Sequence, residues 1–150
     1  MIDLQKKLLE FFGKPADPSR AFSEPNGHRL YRNWMLVVSA RDMDNFISEL
    51  SKLHTVADII CSPVHDADIV DGKRKFPHYH VILSFFHPVS VDYVFDIMND
   101  AGLPTIFERI YDLHAAVRYL VHLDSYYLAP YLVDDVFYFD QINCIWRLLR

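Results

Sequence analysis

The stretch that decides the fold is Phe76-Pro77-His78-Tyr79-His80-Val81-Ile82-Leu83-Ser84-Phe85-Phe86. Its apolar run of branched and aromatic residues is typical of a β-strand. In a strand, residues i and i+2 point to the same face, so His78 and His80 would lie side by side. Two neutral imidazoles in this arrangement are half of a divalent metal site, or they are histidines that only pack and hydrogen-bond.

Composition bounds the class of protein. The chain has 150 residues, of which 51% are hydrophobic and 15% aromatic, and this predicts one compact domain with a real core. Cys61 and Cys144 are far apart and form no CxxC pair, which favours a reducing cytoplasm. No secretory signal and no apolar run of about 18 residues is present, so no contact with a membrane is expected.

Charge counts against a nucleic-acid partner unless the basic residues are clustered. The formal net charge is −5, from 20 acidic and 15 basic residues. Proteins that bind nucleic acids usually carry a basic footprint. The only dense basic run near the histidine strand is Lys73-Arg74-Lys75.

Hydrophobic periodicity predicts alternating strands and helices. Strands are predicted at residues 35–39, 55–61, 78–86 and 104–110, and helices at residues 4–12, 42–53, 89–99, 113–123 and 140–149. From residue 35 the order is β-α-β-β-α-β followed by a helix. This order indicates an α+β, ferredoxin-like fold, in which a central antiparallel sheet carries the His-x-His strand and the helices lie mainly on one face.

The same pattern suggests three segments. Residues 1–30 form a helix and a turn-rich linker, which we expect to be an N-terminal extension. Residues 31–124 form the main domain. Residues 125–150 form an aromatic and acidic C-terminal extension, which either packs on the domain or leads to an oligomerisation region.

The loop after the second strand, Ser62-Pro63-Val64-His65-Asp66-Ala67-Asp68, adds candidate metal ligands. It supplies a third histidine and two carboxylates at the end of a strand that neighbours the His-x-His strand. Three imidazoles and one carboxylate suit Mn²⁺, Mg²⁺ or Zn²⁺. The alternative is an ordinary turn, in which aspartates bond to their own backbone.

A reactive group is suggested by the helix that contains Arg118-Tyr119-Leu120. At about 100° per residue, Tyr119 lies on the border of the apolar stripe and can lean over the sheet. A tyrosine can act as a covalent nucleophile towards a metal-bound phosphate, although core packing is the commoner role. The neighbouring Arg118 either holds a phosphate or is simply solvated.

Taken together, the three motifs resemble a known family. Ser-Pro-x-His-Asp-x-Asp, then Pro-His-Tyr-His-Val-Ile, then Arg-Tyr-Leu-x-His-Leu-Asp resemble the rolling-circle replication initiators of small Gram-positive plasmids, which are HUH endonucleases. The resemblance runs from about Met35 to Asp124. It implies nicking and joining of single-stranded or extruded DNA at a plasmid replication origin through a 5′-phosphotyrosyl intermediate.

The resemblance also implies a role for each site residue. The metal ligands would be His65, Asp68, His78 and His80, and the ion would be Mn²⁺ or Mg²⁺. Tyr119 would be the nucleophile, and Asp66 a group adjoining the ligands. Charge, rather than the resemblance, suggests DNA phosphate contacts at Lys73, Arg74 and Lys75, just before the histidine strand, and at Arg118. Implied partners are origin DNA, host replication proteins and a further copy of the chain.

Three alternatives stay open at this point. Tyr126 and Tyr127 are rival nucleophiles, because they replace an expected lysine-containing segment. A single-tyrosine HUH transposase or a relaxase-like strand transferase uses the same chemistry, and a non-catalytic DNA-binding module could keep the same fold. A histidine-triad nucleotide hydrolase is disfavoured, because Ile82 occupies the next position on the face of His78 and His80.

Overall fold

The computed structural model describes residues 3–23, 29–102, 106–125, 127–141 and 143–150. No helix within these ranges is both long enough and apolar enough to cross a membrane. The α-helices in these ranges are α1 (Leu4–Gly13), α2 (Met43–Leu50), α3 (Val91–Asp100) and α4 (Leu113–Tyr119). The strands are β1 (Phe22–Ser23), β2 (Tyr31–Ser39), β3 (Val56–Cys61), β4 (Ile69–Val70), β5 (Lys73–Arg74), β6 (His78–Val89), β7 (Ile106–Ile110), β8 (Phe137–Asp140) and β9 (Ile145–Leu148).

One antiparallel sheet organises the molecule. Its seven strands lie in the order β1-β7-β2-β6-β3-β8-β9, and β4 and β5 form a separate hairpin. The central four strands, β7-β2-β6-β3, have the order expected of a ferredoxin-like βαββαβ unit, with the histidine strand β6 inside the sheet. The predicted α+β class and its antiparallel sheet are therefore confirmed. The predicted strand at residues 104–110 is seen from Ile106, and its first two residues lie outside the described ranges.

Both faces of the sheet are covered, which explains the continuous apolar run in β6. The α2 and α3 helices of the βαββαβ unit bury Phe46 and Val94 against Leu36 and the other even-numbered side chains of β2. On the opposite face, α1 and α4 pack with Met35 and Ile82. Side chains alternate along each strand, so His78 and His80 lie on the face of Ile82, beneath α4.

The predicted helix at residues 140–149 is wrong, because this segment forms part of the hairpin β8–β9. Asp140 accepts hydrogen bonds at the turn from the backbone N–H of Asn143 at 3.2 Å and from Nε of Arg147 at 2.7 Å. Cys144 has a φ of 54°, which reverses the chain. Phe137 and Trp146 then meet edge to face, with ring centroids 5.7 Å apart. These local bonds and ring contacts favour a hairpin over a helix with few periodic apolar residues.

Arg118 is committed to the fold, although the sequence predicted a contact with DNA. Arg118 is 7% exposed, and its guanidinium forms a bidentate salt bridge with the carboxylate of Asp124, with N···O distances of 2.7 and 2.8 Å. These bonds hold the pKa of Asp124 below its usual value. Arg118 also donates to the carbonyl oxygen of Phe12 at 2.8 Å, at the C-terminal end of α1. Its buried donors join α1 to α4, and so we do not assign Arg118 to a phosphate.

Replacing Arg118 with methionine should lower the free energy of unfolding by roughly 3 kcal/mol, because Asp124 and the α1 carbonyls would lose a buried partner. Urea unfolding followed by circular dichroism measures this change. The matched control is Arg147→Met, which breaks a pair whose arginine is 45% exposed and should cost much less. Equal losses in the two variants would contradict the assigned role.

Candidate metal centre

Four side chains converge at the N-terminal end of β6, beside the C-terminal end of β3. They are His65, Asp68, His78 and His80. One potential ligand atom from each lies within 4.8 Å of the others. The i, i+2 spacing in β6 places His78 and His80 on one face. His65 follows β3 and forms an isolated antiparallel bridge with His78, with backbone N···O distances of 2.7 and 3.2 Å. The structure therefore brings together all four side chains that the sequence predicted as ligands.

Backbone carbonyls determine which nitrogen of each histidine is free. His65 Nε2 lies 2.8 Å from the carbonyl oxygen of Leu120, and His78 Nδ1 lies 2.8 Å from that of Phe76. A carbonyl oxygen can only accept, so these two nitrogens carry the protons. The remaining nitrogens, His65 Nδ1 and His78 Nε2, lie 3.0 and 3.2 Å from the same oxygen, Oδ2 of Asp68. In neutral rings, these nitrogens present lone pairs to a carboxylate, an arrangement that a shared cation would stabilise.

Burial favours the neutral form of two of the three imidazoles. It lowers the pKa of His65, and it lowers that of His80 well below the usual value, with nearby His65 and His78 adding to the effect on His80. Among the described residues, the buried Nδ1 atom of His80 has no hydrogen-bond partner. Neutral imidazole is the form that binds metals. Three imidazoles, one of which has an unpartnered buried nitrogen, and one carboxylate thus fit a divalent cation with nitrogen and oxygen ligands.

Tyr131 supports the centre, and sequence reasoning missed it. Its ring stacks on His65 with centroids 4.0 Å apart, and its hydroxyl donates to Oδ1 of Asp68 at 2.5 Å. Burial and this hydrogen bond raise the pKa of Tyr131 to about 12, so the phenol remains a donor. Burial opposes ionisation of Asp68, but the hydrogen bond from Tyr131 and the adjacent imidazole of His65 outweigh it, so the pKa of Asp68 is lowered. Tyr131 therefore holds Oδ1 and leaves Oδ2 facing the histidines.

His122 is a second residue to which the sequence gave no role. It has a φ of 57°, just after α4, and its Nδ1 lies 2.7 Å from the carbonyl oxygen of Ala129. Its ring centroid lies 4.8 Å from that of His65 and 5.1 Å from that of Tyr119. The available signal was its i+3 spacing from Tyr119 in the Arg-Tyr-Leu-x-His motif, which places both residues near one side of a helical turn.

Tyr119 is the last residue of α4 and lies beside the four predicted ligands. Its ring meets that of His80 edge to face at 5.6 Å and that of Phe22 at 5.2 Å. Burial raises the pKa of Tyr119, and the negative charges of Asp68 and Glu108 add to this effect. The carbonyl of the next residue, Leu120, is the one that binds His65. The end of α4 therefore positions the phenol and one predicted ligand together.

The other candidate residues lie around this centre. Tyr127 is 74% exposed, and Tyr126 lies outside the described residues. Asp66 is exposed and is not one of the four side chains of the group defined above. The three basic residues Lys73, Arg74 and Lys75 are exposed on or beside β5, and the backbone N–H of Lys75 donates to the carbonyl oxygen of Asp68 at 2.8 Å.

Replacing Tyr131 with phenylalanine should weaken binding of a divalent ion roughly tenfold, because Asp68 loses the donor that orients it while the ring stack is kept. Isothermal titration with Mn²⁺ measures the affinity. Tyr127→Phe changes a tyrosine that is 74% exposed and serves as the control. An unchanged affinity in Tyr131→Phe would show that this hydrogen bond does not organise the centre.

The chain is similar in sequence to known plasmid replication proteins. Residues 28–139 match the family described as "Plasmid replication protein, origin binding domain". The chain is also similar to replication protein RepB of Lactiplantibacillus plantarum, with 33% identity over 95 residues. Those residues are 63% of this chain and 42% of RepB, so the match spans less than half of the relative's length. Because the family match covers most of the chain and includes every predicted ligand, the chain belongs to the family of plasmid replication protein origin-binding domains.

Proposed function

We propose that this protein is an HUH endonuclease that nicks and rejoins single-stranded DNA at a plasmid origin and so initiates rolling-circle replication. The observation that carries the proposal is the convergence of three imidazoles and one carboxylate beside the phenol of Tyr119. Membership of an origin-binding family supports DNA at an origin as the partner. A module that only binds the origin would not need this group of side chains next to a half-buried tyrosine.

The ion would be held by His65 Nδ1, His78 Nε2, Asp68 Oδ2 and a nitrogen of His80. Imidazole ligands suit Mn²⁺ better than Mg²⁺, which prefers oxygen, and so we propose Mn²⁺ as the better fit. When bound, such an ion supplies Lewis-acid polarisation of the scissile phosphate. The two carbonyls behind His65 and His78 keep the ligand lone pairs directed at one point, so little reorganisation is required.

Tyr119 performs the covalent step. Its Oη atom bonds to phosphorus as the bond from phosphorus to the 3′ oxygen breaks, and the chain is left with a 5′-phosphotyrosyl link. The phenol loses its proton in this step, and the departing 3′ oxygen gains one to become a free 3′-OH. The phosphodiester is exchanged rather than hydrolysed, so the reverse reaction rejoins the strand. Burial raises the pKa of Tyr119, so the phenol carries its proton before the reaction.

The catalytic unit extends beyond residue 124 in this proposal. We propose residues 31–124 as the endonuclease and origin-binding domain, with residues 125–150 contributing Tyr131 and two sheet strands. Residues 1–30 contribute α1, which Arg118 fastens to the helix of Tyr119. Host replication proteins and further copies of the chain are proposed partners in the cytoplasm, where the unpaired Cys61 and Cys144 are compatible with a reducing environment.

Replacing Tyr119 with phenylalanine should abolish covalent protein–DNA adducts, because the attacking oxygen is absent. Labelled single-stranded oligonucleotides tiled across the plasmid origin, incubated with Mn²⁺, report adducts as a shift in denaturing gels. Tyr127→Phe is the matched control and should retain adducts. Persistent adducts in Tyr119→Phe would place the nucleophile elsewhere, and Tyr126 would be tested next.

Replacing His80 with alanine should remove both Mn²⁺-dependent cleavage and the stabilisation by Mn²⁺. An ion that binds only the folded state, present at about a hundred times its dissociation constant, should raise the Tm of the unaltered protein by roughly 5–10 °C. Differential scanning fluorimetry measures this shift. His87→Ala changes an exposed histidine at the other end of β6 and should keep the full shift. An unchanged shift in His80→Ala would end the assignment of this ligand.

A further inference from the structure

A groove adjoins the metal centre on the same face of the sheet. Val37 and Ile106 are paired residues of β2 and β7, and Ser39 of β2 pairs with His78 of β6. These four residues, with Lys75 and Phe76, line an open space of about 540 Å³. Because His78 belongs both to the groove and to the ligand group, a polymer bound in the groove would pass the metal centre.

The groove combines an exposed aromatic ring with positive charge. Phe76 is 90% exposed and Ile106 is 70% exposed, although both are large apolar residues beside a sheet that buries most others. Phe76 directly follows Lys73, Arg74 and Lys75. Within the part of the chain that the structure describes, none of these three cations takes part in a salt bridge. Aromatic rings beside unpaired cations are the elements with which proteins bind single-stranded nucleic acids.

Backbone hydrogen bonds hold this wall of the groove against the metal centre. The carbonyl oxygen of Phe76 accepts from His78 Nδ1 at 2.8 Å. The backbone N–H of Lys75 donates to the carbonyl oxygen of Asp68 at 2.8 Å. The basic and aromatic residues are therefore placed relative to two of the predicted ligands, and not on a separate surface.

We propose that this groove binds the nucleotides of single-stranded DNA that flank the scissile phosphate, with one base stacked on Phe76 and the neighbouring phosphates contacting Lys73 and Lys75. The position relative to the scissile phosphate rests on the function proposed above, whereas binding of the strand in the groove does not. The combination favours DNA over an acidic peptide, because a peptide would use the cations but would leave the ring of Phe76 exposed. Stacking is tolerant of sequence, so this contact positions the strand without reading bases.

Binding of a fluorescein-labelled dT12 oligonucleotide, followed by fluorescence anisotropy in EDTA so that no cleavage occurs, tests the proposal. Phe76→Ala should weaken binding roughly 5- to 100-fold, the range expected for loss of one stacked base. It should leave unchanged the weaker binding of a twelve-residue abasic oligonucleotide that has the same phosphates. Phe76→Trp should retain affinity for dT12, and the fluorescence of its new indole should be quenched by the oligonucleotide.

Variants of the two lysines distinguish the contribution of phosphate contacts to binding from that of base stacking. Lys73→Ala with Lys75→Ala should weaken binding of both oligonucleotides and reduce the salt dependence by about 0.7 log units per log unit of salt for each lost contact. Phe86→Ala is the matched control, because Phe86 is 53% exposed at the other end of β6. All four variants change exposed side chains, and their melting temperatures check that the fold is intact.

Each outcome decides the proposal. An affinity for dT12 that Phe76→Ala does not lower, an equal loss with the abasic strand, or no binding by the unaltered chain would overturn it. If Phe76 proves necessary for dT12 while the unaltered protein forms no adduct with origin DNA and Mn²⁺, the groove stands and the nuclease function fails. If adducts form but Phe76→Ala leaves binding unchanged, the nuclease stands and the groove fails.

Discussion

Two hydrogen bonds to backbone carbonyls are the constraint on which the site depends. Leu120 and Phe76 each present a carbonyl oxygen to one histidine, and the acceptor fixes which ring nitrogen carries the proton. When the rings are neutral, the opposite nitrogens of His65 and His78 then direct their lone pairs towards Asp68. Without these bonds, either ring could rotate or change tautomer and would hydrogen-bond to the carboxylate as an ordinary donor.

Both carbonyls are available for reasons that lie in the fold. The last carbonyls of a helix have no partner within the helix, and α4 ends at Tyr119, so the carbonyl of Leu120 is free to accept from His65. Phe76 stands just before β6, where its carbonyl is outside the sheet ladder. The end of α4 thus positions Tyr119 and orients His65 at once, and the start of β6 does the same for His78 and the exposed ring of Phe76. The carbonyl oxygens of Leu120 and Phe76 therefore belong to the element ends that shape the fold and also orient the proposed ligands.

The parts of this arrangement that sequence could predict depend on local periodicity. Alternation in β6 placed His78 and His80 on one face, and the order of strands and helices indicated the antiparallel α+β sheet, which the structure confirms. The position of His65 and Asp68 near the two histidines of β6 was predicted because their loop follows β3, which neighbours β6 in the sheet. The roles of these side chains as ligands and of Tyr119 as nucleophile remain predictions.

The parts that sequence could not predict depend on contacts between distant segments. Tyr131 reaches Asp68 across 63 positions of the chain, and no spacing rule connects them. The sequence predicts that Arg118, which adjoins Tyr119 in the same helix, contacts a phosphate. In the structure its partners are the end of α1 and Asp124. The hairpin at β8–β9 depends on side-chain bonds of Asp140, which override a weak helical pattern. In each case tertiary or side-chain hydrogen bonds determine the outcome.

A crystal structure of the protein soaked with Mn²⁺, with the ion located by its anomalous scattering, tests the central claim most directly. We expect one peak bound by His65 Nδ1, His78 Nε2 and Asp68 Oδ2, with a nitrogen of His80 as the fourth protein ligand. The bonds from His65 to Leu120 and from His78 to Phe76 should remain intact. No peak at this position, or an ion bound through His65 Nε2 with the bond to Leu120 broken, would contradict it.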